Sequence, residues 1–188
     1  MAAHPTRRVV LAAAAALPLA AASGCGGVNV LAAPPRPAPD VALLRSAIAD
    51  EHLLIARYVN VLRGAGNPGG ATSAARRGAA AALAAALEPM LAEHRAHLAQ
   101  LQSRLVVPAG ASPSPSERAP VVPAAPTAPG AAAAYLRTAE QAAAAALLDR
   151  LPRAPASLAQ LFASISASEA THVPVLDTVI LDTKRAVR

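Results

Sequence analysis

Glutamate and histidine residues recur in this sequence at spacings that could assemble a metal site. Each histidine after residue 24 lies within four residues of a glutamate. Carboxylate oxygens and imidazole nitrogens, with no thiolate among them, suit iron, manganese or zinc better than copper(I). The candidate metal ligands are Glu51, Glu93, His94, His97, Glu140, Glu169 and His172.

The candidate ligands fall on the apolar stripes of predicted helices. Apolar residues recur every three or four positions, which is the spacing of one face of an α-helix, and the polar residues take places in the same series. Each of four helices is therefore expected to point at least one ionisable side chain inward. The residues concerned are, helix by helix, Glu51; His94 and His97, with Glu93 at the flank; Glu140; and Glu169 with His172.

Ionisable side chains in such positions need partners. Burying an unpaired carboxylate costs about several kcal/mol, whereas the net stability of a domain is only about 5 to 15 kcal/mol. The carboxylates must therefore meet one another, the histidines or a cation. A metal-free network of Glu and His pairs would satisfy this requirement. Divalent cations would satisfy it as well, and two of them would neutralise the four negative charges of the candidate glutamates.

Four helices, joined by two short links and one long one, are predicted to position these residues. The apolar spacing predicts helices over 41–63, from 72 or 73 to 105, over 131–151 and from 157 onward. Pro174 is expected to kink or break the fourth helix after His172, and the remainder then forms a fifth helix. The linker 106–130 is rich in proline, which excludes a regular helix and makes it a long crossover. The sequence thus predicts an all-α fold, a four-helix bundle over 40–188.

The order of helices and ligands resembles the ferritin-like group of four-helix bundles, whose di-metal carboxylate proteins carry a glutamate on each helix and Glu-x-x-His pairs. Glu169-Ala170-Thr171-His172 matches that motif. Glu51, followed by Tyr58, is similar to the first helix of the group, and Glu140 stands where its third helix supplies a lone carboxylate. The resemblance implies an up-down-down-up topology, with the crossover between the second and third helices.

The second helix departs from this pattern, because Glu93-His94-Arg95-Ala96-His97 has its carboxylate one residue early, or His94 in its place. Together with Glu51-His52, this segment is similar to an actinobacterial ferritin-like family of unknown function found in exported, Ala-rich proteins. The resemblance to the di-metal carboxylate proteins, and not the one to this family, implies a bundle that binds one or two transition-metal ions, iron or manganese, for redox chemistry, with Tyr58 close enough to tune or reduce the site. The alternative function is a metal-free structural or interaction module of the cell surface.

Residues 1–24 have the organisation of a signal peptide. Arg7 and Arg8 precede an apolar run, 9–22, which is too short to cross a bilayer as a permanent helix. Ala22-Ser23-Gly24-Cys25 resembles a bacterial lipobox, and the paired arginines resemble a twin-arginine export signal. The Pro-rich segment 25–39 is then a tether. We expect cleavage before Cys25, lipidation of that cysteine, and attachment to the outer face of the cytoplasmic membrane; an unmodified spacer cysteine is the alternative.

Charge and composition exclude several other classes of function. The formal net charge is +6, and the chain has only two Tyr and one Phe to stack on bases, so we expect no nucleic-acid partner. The sequence predicts no strands, hence no phosphate-binding loop after a strand, and the Ser-rich stretch 112–116 contains no nucleophile motif. The Ala-rich helix faces permit close packing between copies of the chain as readily as within one copy. A homo-oligomer is therefore compatible with the sequence.

Overall fold

The computed structural model of the chain describes residues 39–66, 74–106 and 121–186, and helices account for most of them. The four α-helices are α1 (Pro39–Gly66), α2 (Ala74–Arg104), α3 (Pro129–Arg150) and α4 (Ala156–Ala186), with a 3-10 turn, Leu151–Arg153, between the last two. The described ranges contain no strand, so the all-α prediction is confirmed. The leader, the lipobox, the tether up to residue 38 and much of the crossover lie outside the described residues.

The start of α3 differs from the sequence prediction. The Pro-rich linker was expected to extend through Gly130, whereas the helix already begins at Pro129. Proline fits the first helical position because its fixed φ suits the helix and its missing N–H would have no partner there. A Cβ on Gly130 would lie 2.5 Å from Thr183 Oγ1, so the glycine allows α3 and α4 to approach closely at this end.

Helix α4 runs through Pro174, so the predicted break after His172 and the fifth helix are wrong. A proline inside a helix costs about 3 kcal/mol, because it removes one backbone hydrogen bond and crowds the preceding turn. Beyond it, however, Leu176 is fully buried, and Val179 and Ile180 pack against the same core. Burial of each such side chain contributes about 1.5 to 3 kcal/mol, which offsets the proline and keeps the helix continuous.

The apolar core consists of two separate clusters, one towards each end of the bundle. We name the first the Tyr58 cluster; its main members are Leu54, Tyr58 and Val61 of α1, Leu83, Leu87, Met90 and Leu91 of α2, Ala132, Ala133, Leu136 and Ala139 of α3, and Leu176 of α4. We name the second the Phe162 cluster; it contains Leu43, Leu44 and Ala47 of α1, Leu101 of α2, Leu147 of α3, and Leu158, Phe162 and Ile165 of α4. All four helices therefore contribute to both clusters.

Six buried ionisable residues, spread over the four helices, lie between the two clusters. In each helix they follow residues of one cluster and precede residues of the other. In α1, for example, Glu51 follows Ala47 of one cluster and precedes Leu54 of the other. The same holds for the other helices, and we refer to the whole set as the polar layer: Glu51, His94, His97, Glu140, Glu169 and His172. The prediction that every helix points an ionisable side chain inward is thus confirmed. Among the described residues, no helix has the length and hydropathy needed to cross a membrane.

Candidate metal centre

His94 of α2 lies at the centre of the polar layer and is fully buried. Its Nδ1 is 3.1 Å from Glu51 Oε2, and its Nε2 is 2.9 Å from Glu140 Oε1. Because an ionised carboxylate can only accept hydrogen bonds, both contacts are made when both ring nitrogens carry a proton. The imidazolium of His94 is thus held between a carboxylate of α1 and a carboxylate of α3.

Two groups of three potential ligands share His94. The Glu51 triad consists of Glu51, His94 and His97, and the Glu140 triad consists of His94, Glu140 and His172. In each triad, one ligand atom from every residue lies within 4.8 Å of the other two. Residues from α1 and α2 form the first triad, and residues from α2, α3 and α4 form the second. Both triads could hold a metal ion.

Each triad contains a buried carboxylate oxygen and a buried imidazole nitrogen that face each other at ion-pair distance but without good hydrogen-bond geometry. In the Glu51 triad these are Glu51 Oε1 and His97 Nδ1, which lie 3.3 Å apart. In the Glu140 triad they are Glu140 Oε2 and His172 Nδ1, which lie 3.4 Å apart. These pairs are held by charge without a well-directed hydrogen bond, and a cation bound to both atoms of a pair would satisfy them more fully.

The charges of the layer support one another in the metal-free protein. Burial by itself would lower the pKa of His94, but its contacts with Glu140 and Glu51 raise that pKa to about 9. Burial by itself would raise the pKa of Glu140, whereas contacts with His172 and His94 lower it to about 2. The pKa of Glu51 is lowered in the same way by His94 and His97, against the effect of burial. A proton on His94 thus takes the place of a cation between two carboxylates.

Glu169 is buried in the polar layer but belongs to neither triad. Burial, followed by the negative charges of Glu51 and Glu140, raises the pKa of Glu169 to about 8. Its Oε2 has no hydrogen-bond partner. Glu169 is therefore a predicted ligand that the structure places outside both triads. Its carboxyl group is mostly protonated at neutral pH.

Glu93 lies at the edge of the site, where its side chain is 52% exposed. Its Oε2 accepts hydrogen bonds from His172 Nε2, at 3.0 Å, and from Ser168 Oγ, at 3.0 Å. Because Glu93 precedes His94 by one residue, it projects about 100° around the helix from the buried face. The structure thus places this predicted ligand outside both triads, where it orients the ring of His172.

Tyr58 of α1 is fully buried and contacts the Glu140 triad. Its hydroxyl donates a short hydrogen bond to Glu140 Oε1 and lies 3.5 Å from Met90 Sδ. Its ring centroid is 5.0 Å from that of His94. Burial and the nearby carboxylates, Glu140 foremost, raise the pKa of Tyr58, so the hydroxyl keeps its proton and remains a donor. The sequence pointed to Tyr58 as a neighbour of the site, but Ser168 gave no signal of its role.

Comparison with known proteins adds no relative to these observations. No protein-family model, curated protein or solved structure matches the chain. What the geometry itself defines is an all-α protein with buried Glu and His groups that could hold a metal ion.

Proposed function

We propose that this protein binds one or two transition-metal ions, iron or manganese, in the polar layer of a ferritin-like bundle on the cell envelope. The observation that carries the proposal is the convergence of two triads in the buried layer, each with ligand atoms that all lie within 4.8 Å of one another. Within them, Glu51 Oε1 with His97 Nδ1 and Glu140 Oε2 with His172 Nδ1 form ion pairs without good hydrogen-bond geometry, which a bound cation would complete. The metal-free alternative is therefore the less favoured.

The donor set fits a borderline divalent metal. Each triad offers one carboxylate and two imidazoles, and oxygen and nitrogen ligands of this kind suit manganese, iron or zinc. A bound metal would supply a Lewis-acidic or redox-active centre. The protein's own residues fix its ligands: Tyr58 donates to Glu140, and Glu93 holds the ring of His172. Such outer contacts commonly set the orientation and basicity of ligands.

The distribution of the helices over the two clusters supports a ferritin-like topology. The start of α1 and the start of α4 contribute to the Phe162 cluster, whereas α2 and α3 reach that cluster with their C-terminal halves. We infer that α1 and α4 run in one direction and α2 and α3 in the other. The connection from α2 to α3 then has to traverse the length of the bundle, which agrees with a long crossover in the middle of the chain.

Metal content tests the proposed function directly. The full chain, expressed in a bacterial host and purified without chelators, is incubated with excess Mn²⁺ or, under anaerobic conditions, Fe²⁺, desalted, and measured by elemental analysis. We expect at least one metal ion per chain. A protein that is folded by circular dichroism and retains less than about a tenth of an ion per chain would contradict the proposal.

Attachment to the membrane rests on the sequence around Cys25 and has its own test. If the cysteine is lipidated after cleavage, Cys25→Ser removes the anchor, and the protein should move from the membrane fraction to the soluble fraction of the exporting cells. Incorporation of a labelled fatty acid should be lost in parallel. Lipid labelling that persists in Cys25→Ser, or membrane association that does not change, would contradict the assignment.

A further inference from the structure

We propose that a metal ion occupies one triad at a time, and that His94, which belongs to both, decides between them. The inference rests on the proposed function, because it concerns how the same polar layer is filled. It limits the stoichiometry to one ion per chain and makes the two triads alternative positions for that ion, with the Glu140 triad preferred.

The arrangement of the two carboxylates around one ring carries the first step. Glu51 faces Nδ1 of His94, and Glu140 faces Nε2. A neutral imidazole has one lone pair and one N–H. An ion bound through Nε2 therefore leaves Nδ1–H donating to Glu51, and an ion bound through Nδ1 leaves Nε2–H donating to Glu140. Occupation of one triad thus turns the shared histidine into a hydrogen-bond donor for the other.

The second step concerns what remains of the unoccupied triad. Without the lone pair of His94, the Glu51 triad retains only Glu51 and His97, and the Glu140 triad retains only Glu140 and His172. Two protein ligands are fewer than the three that protein sites with an open coordination position usually provide. The second position is therefore much weaker than the first once an ion is bound.

The charge of the layer points to the same limit. The triads contain two carboxylates, Glu51 and Glu140, whose charge one divalent ion neutralises. Two ions would leave an excess of two positive charges over these carboxylates, which only an ionised Glu169 together with Glu93, a half-exposed group outside both triads, would neutralise. An uncompensated buried charge costs about several kcal/mol after relaxation, so a single ion is the favoured load.

Outer contacts favour the Glu140 triad. Glu93 accepts a hydrogen bond from the Nε2–H of His172, which leaves the lone pair of Nδ1 available to bind an ion, and Tyr58 donates a hydrogen bond to Glu140. Among the described residues, Glu51 and His97 have no hydrogen bonds to residues outside the layer that correspond to those from Tyr58 and Glu93. Loss of an outer contact typically costs 10-fold to 100-fold, as an order of magnitude, in metal affinity. We therefore expect the ion to reside mainly with Glu140 and His172.

Single-site variants of the full chain, titrated with Mn²⁺ and measured by elemental analysis and equilibrium dialysis, test the proposal. The parent should saturate at one ion. Glu51→Gln should keep one ion with an affinity about 10-fold lower, because Glu51 then acts mainly as an outer partner. Glu140→Gln should weaken binding by more than about 100-fold while leaving the Glu51 triad as a residual site, and Glu51→Gln/Glu140→Gln should bind no ion. Exposed Glu88→Gln is the matched control on α2 and should behave as the parent.

Each result separates this inference from the proposed function. Two tightly bound ions in the parent would overturn exclusive occupation, although the protein would still be a metal-binding one. Equal losses in Glu51→Gln and Glu140→Gln would overturn the preference for the Glu140 triad. If a carboxylate variant does not fold, His97→Gln and His172→Gln repeat the comparison with the carboxylates intact. A parent that binds no metal overturns the proposed function itself.

Discussion

Replacing His94 with alanine should lower the affinity of the protein for Mn²⁺ by more than about 100-fold, beyond the usual effect of losing an outer contact. His94 is the one residue common to both triads. Its removal leaves each of them with a single carboxylate and a single histidine, so no alternative position can retain the ion. Equilibrium dialysis against Mn²⁺, followed by elemental analysis, measures the change.

The matched control is His52→Ala, because His52 is an exposed histidine next to Glu51 and should leave the affinity unchanged. Removal of His94 also takes away the cation between two buried carboxylates, which costs about 3 to 5 kcal/mol when such a pair is broken. The double variant His97→Ala/His172→Ala guards against a loss of folding, since it keeps that cation and still deprives each triad of a ligand. Parent-like affinity in a folded His94→Ala or double variant would refute the assignment.

The metal-free protein should lose several kcal/mol of unfolding free energy between about pH 5 and pH 9. Three groups with raised pKa values cause this loss: Glu169, His94 and His172, whose pKa is raised by its contacts with Glu140 and Glu93 against the effect of burial. Glu169, whose pKa is about 8 in the folded protein and ordinarily 4.5, contributes stability that is complete below pH 4.5 and lost as the pH rises through 8. His94, at about 9 against 6.5, contributes stability that is complete below pH 6.5 and lost as the pH rises through 9.

Lowering the pH below about 4.5 should also reduce the stability of the metal-free protein, through a group whose pKa is lowered. Glu140, with a pKa of about 2 in the folded protein, contributes stability that is present above pH 4.5 and lost as the pH falls through 2. The stability of the metal-free protein should therefore be greatest near about pH 5. Urea unfolding in the presence of a chelator, repeated across this pH range, gives the curve.

Glu169→Gln identifies the source of the alkaline loss. The amide imitates the protonated carboxyl group but does not ionise, so the variant should keep its stability up to about pH 6.5 and lose only the contributions of His94 and His172 above it. Glu88→Gln, which removes an exposed carboxylate of α2, should follow the parent curve. An identical fall in the parent and in Glu169→Gln would show that Glu169 does not control the pH dependence.

Sequence periodicity was sufficient to identify the six residues of the polar layer, although it did not point to Arg150 and Ser166, which are buried as well. In α4, a residue from the apolar series recurs every three or four positions, and Phe162, Ile165, Glu169, His172 and Leu176 are all buried as that spacing requires. The same reasoning placed Glu140 in the core of α3. Periodicity works here because burial of one face is decided locally, by the residues of a single helix.

The rotation and relative height of the helices could not be predicted from the sequence in the same way. In α1, the helical spacing that includes Glu51 also runs through Ile48 and Ile55, yet these two residues are half-buried, whereas Ala47 and Leu54 are buried. The rotation of a helix against its neighbours depends on their packing and not on its own apolar series. For the same reason the sequence did not reveal that His94 lies between Glu51 and Glu140, since this depends on the relative height and rotation of three helices.

The division of the core into two apolar clusters has a consequence for how an ion arrives. Among the described residues, a cluster of buried apolar side chains lies on either side of the polar layer along the bundle. The half-exposed carboxylate of Glu93, which touches both solvent and His172, lies at the side of that layer. We therefore expect metal ions to enter and leave the layer from the side, between α2 and α4. Glu93 would then be the first ligand to replace a water molecule of the incoming cation.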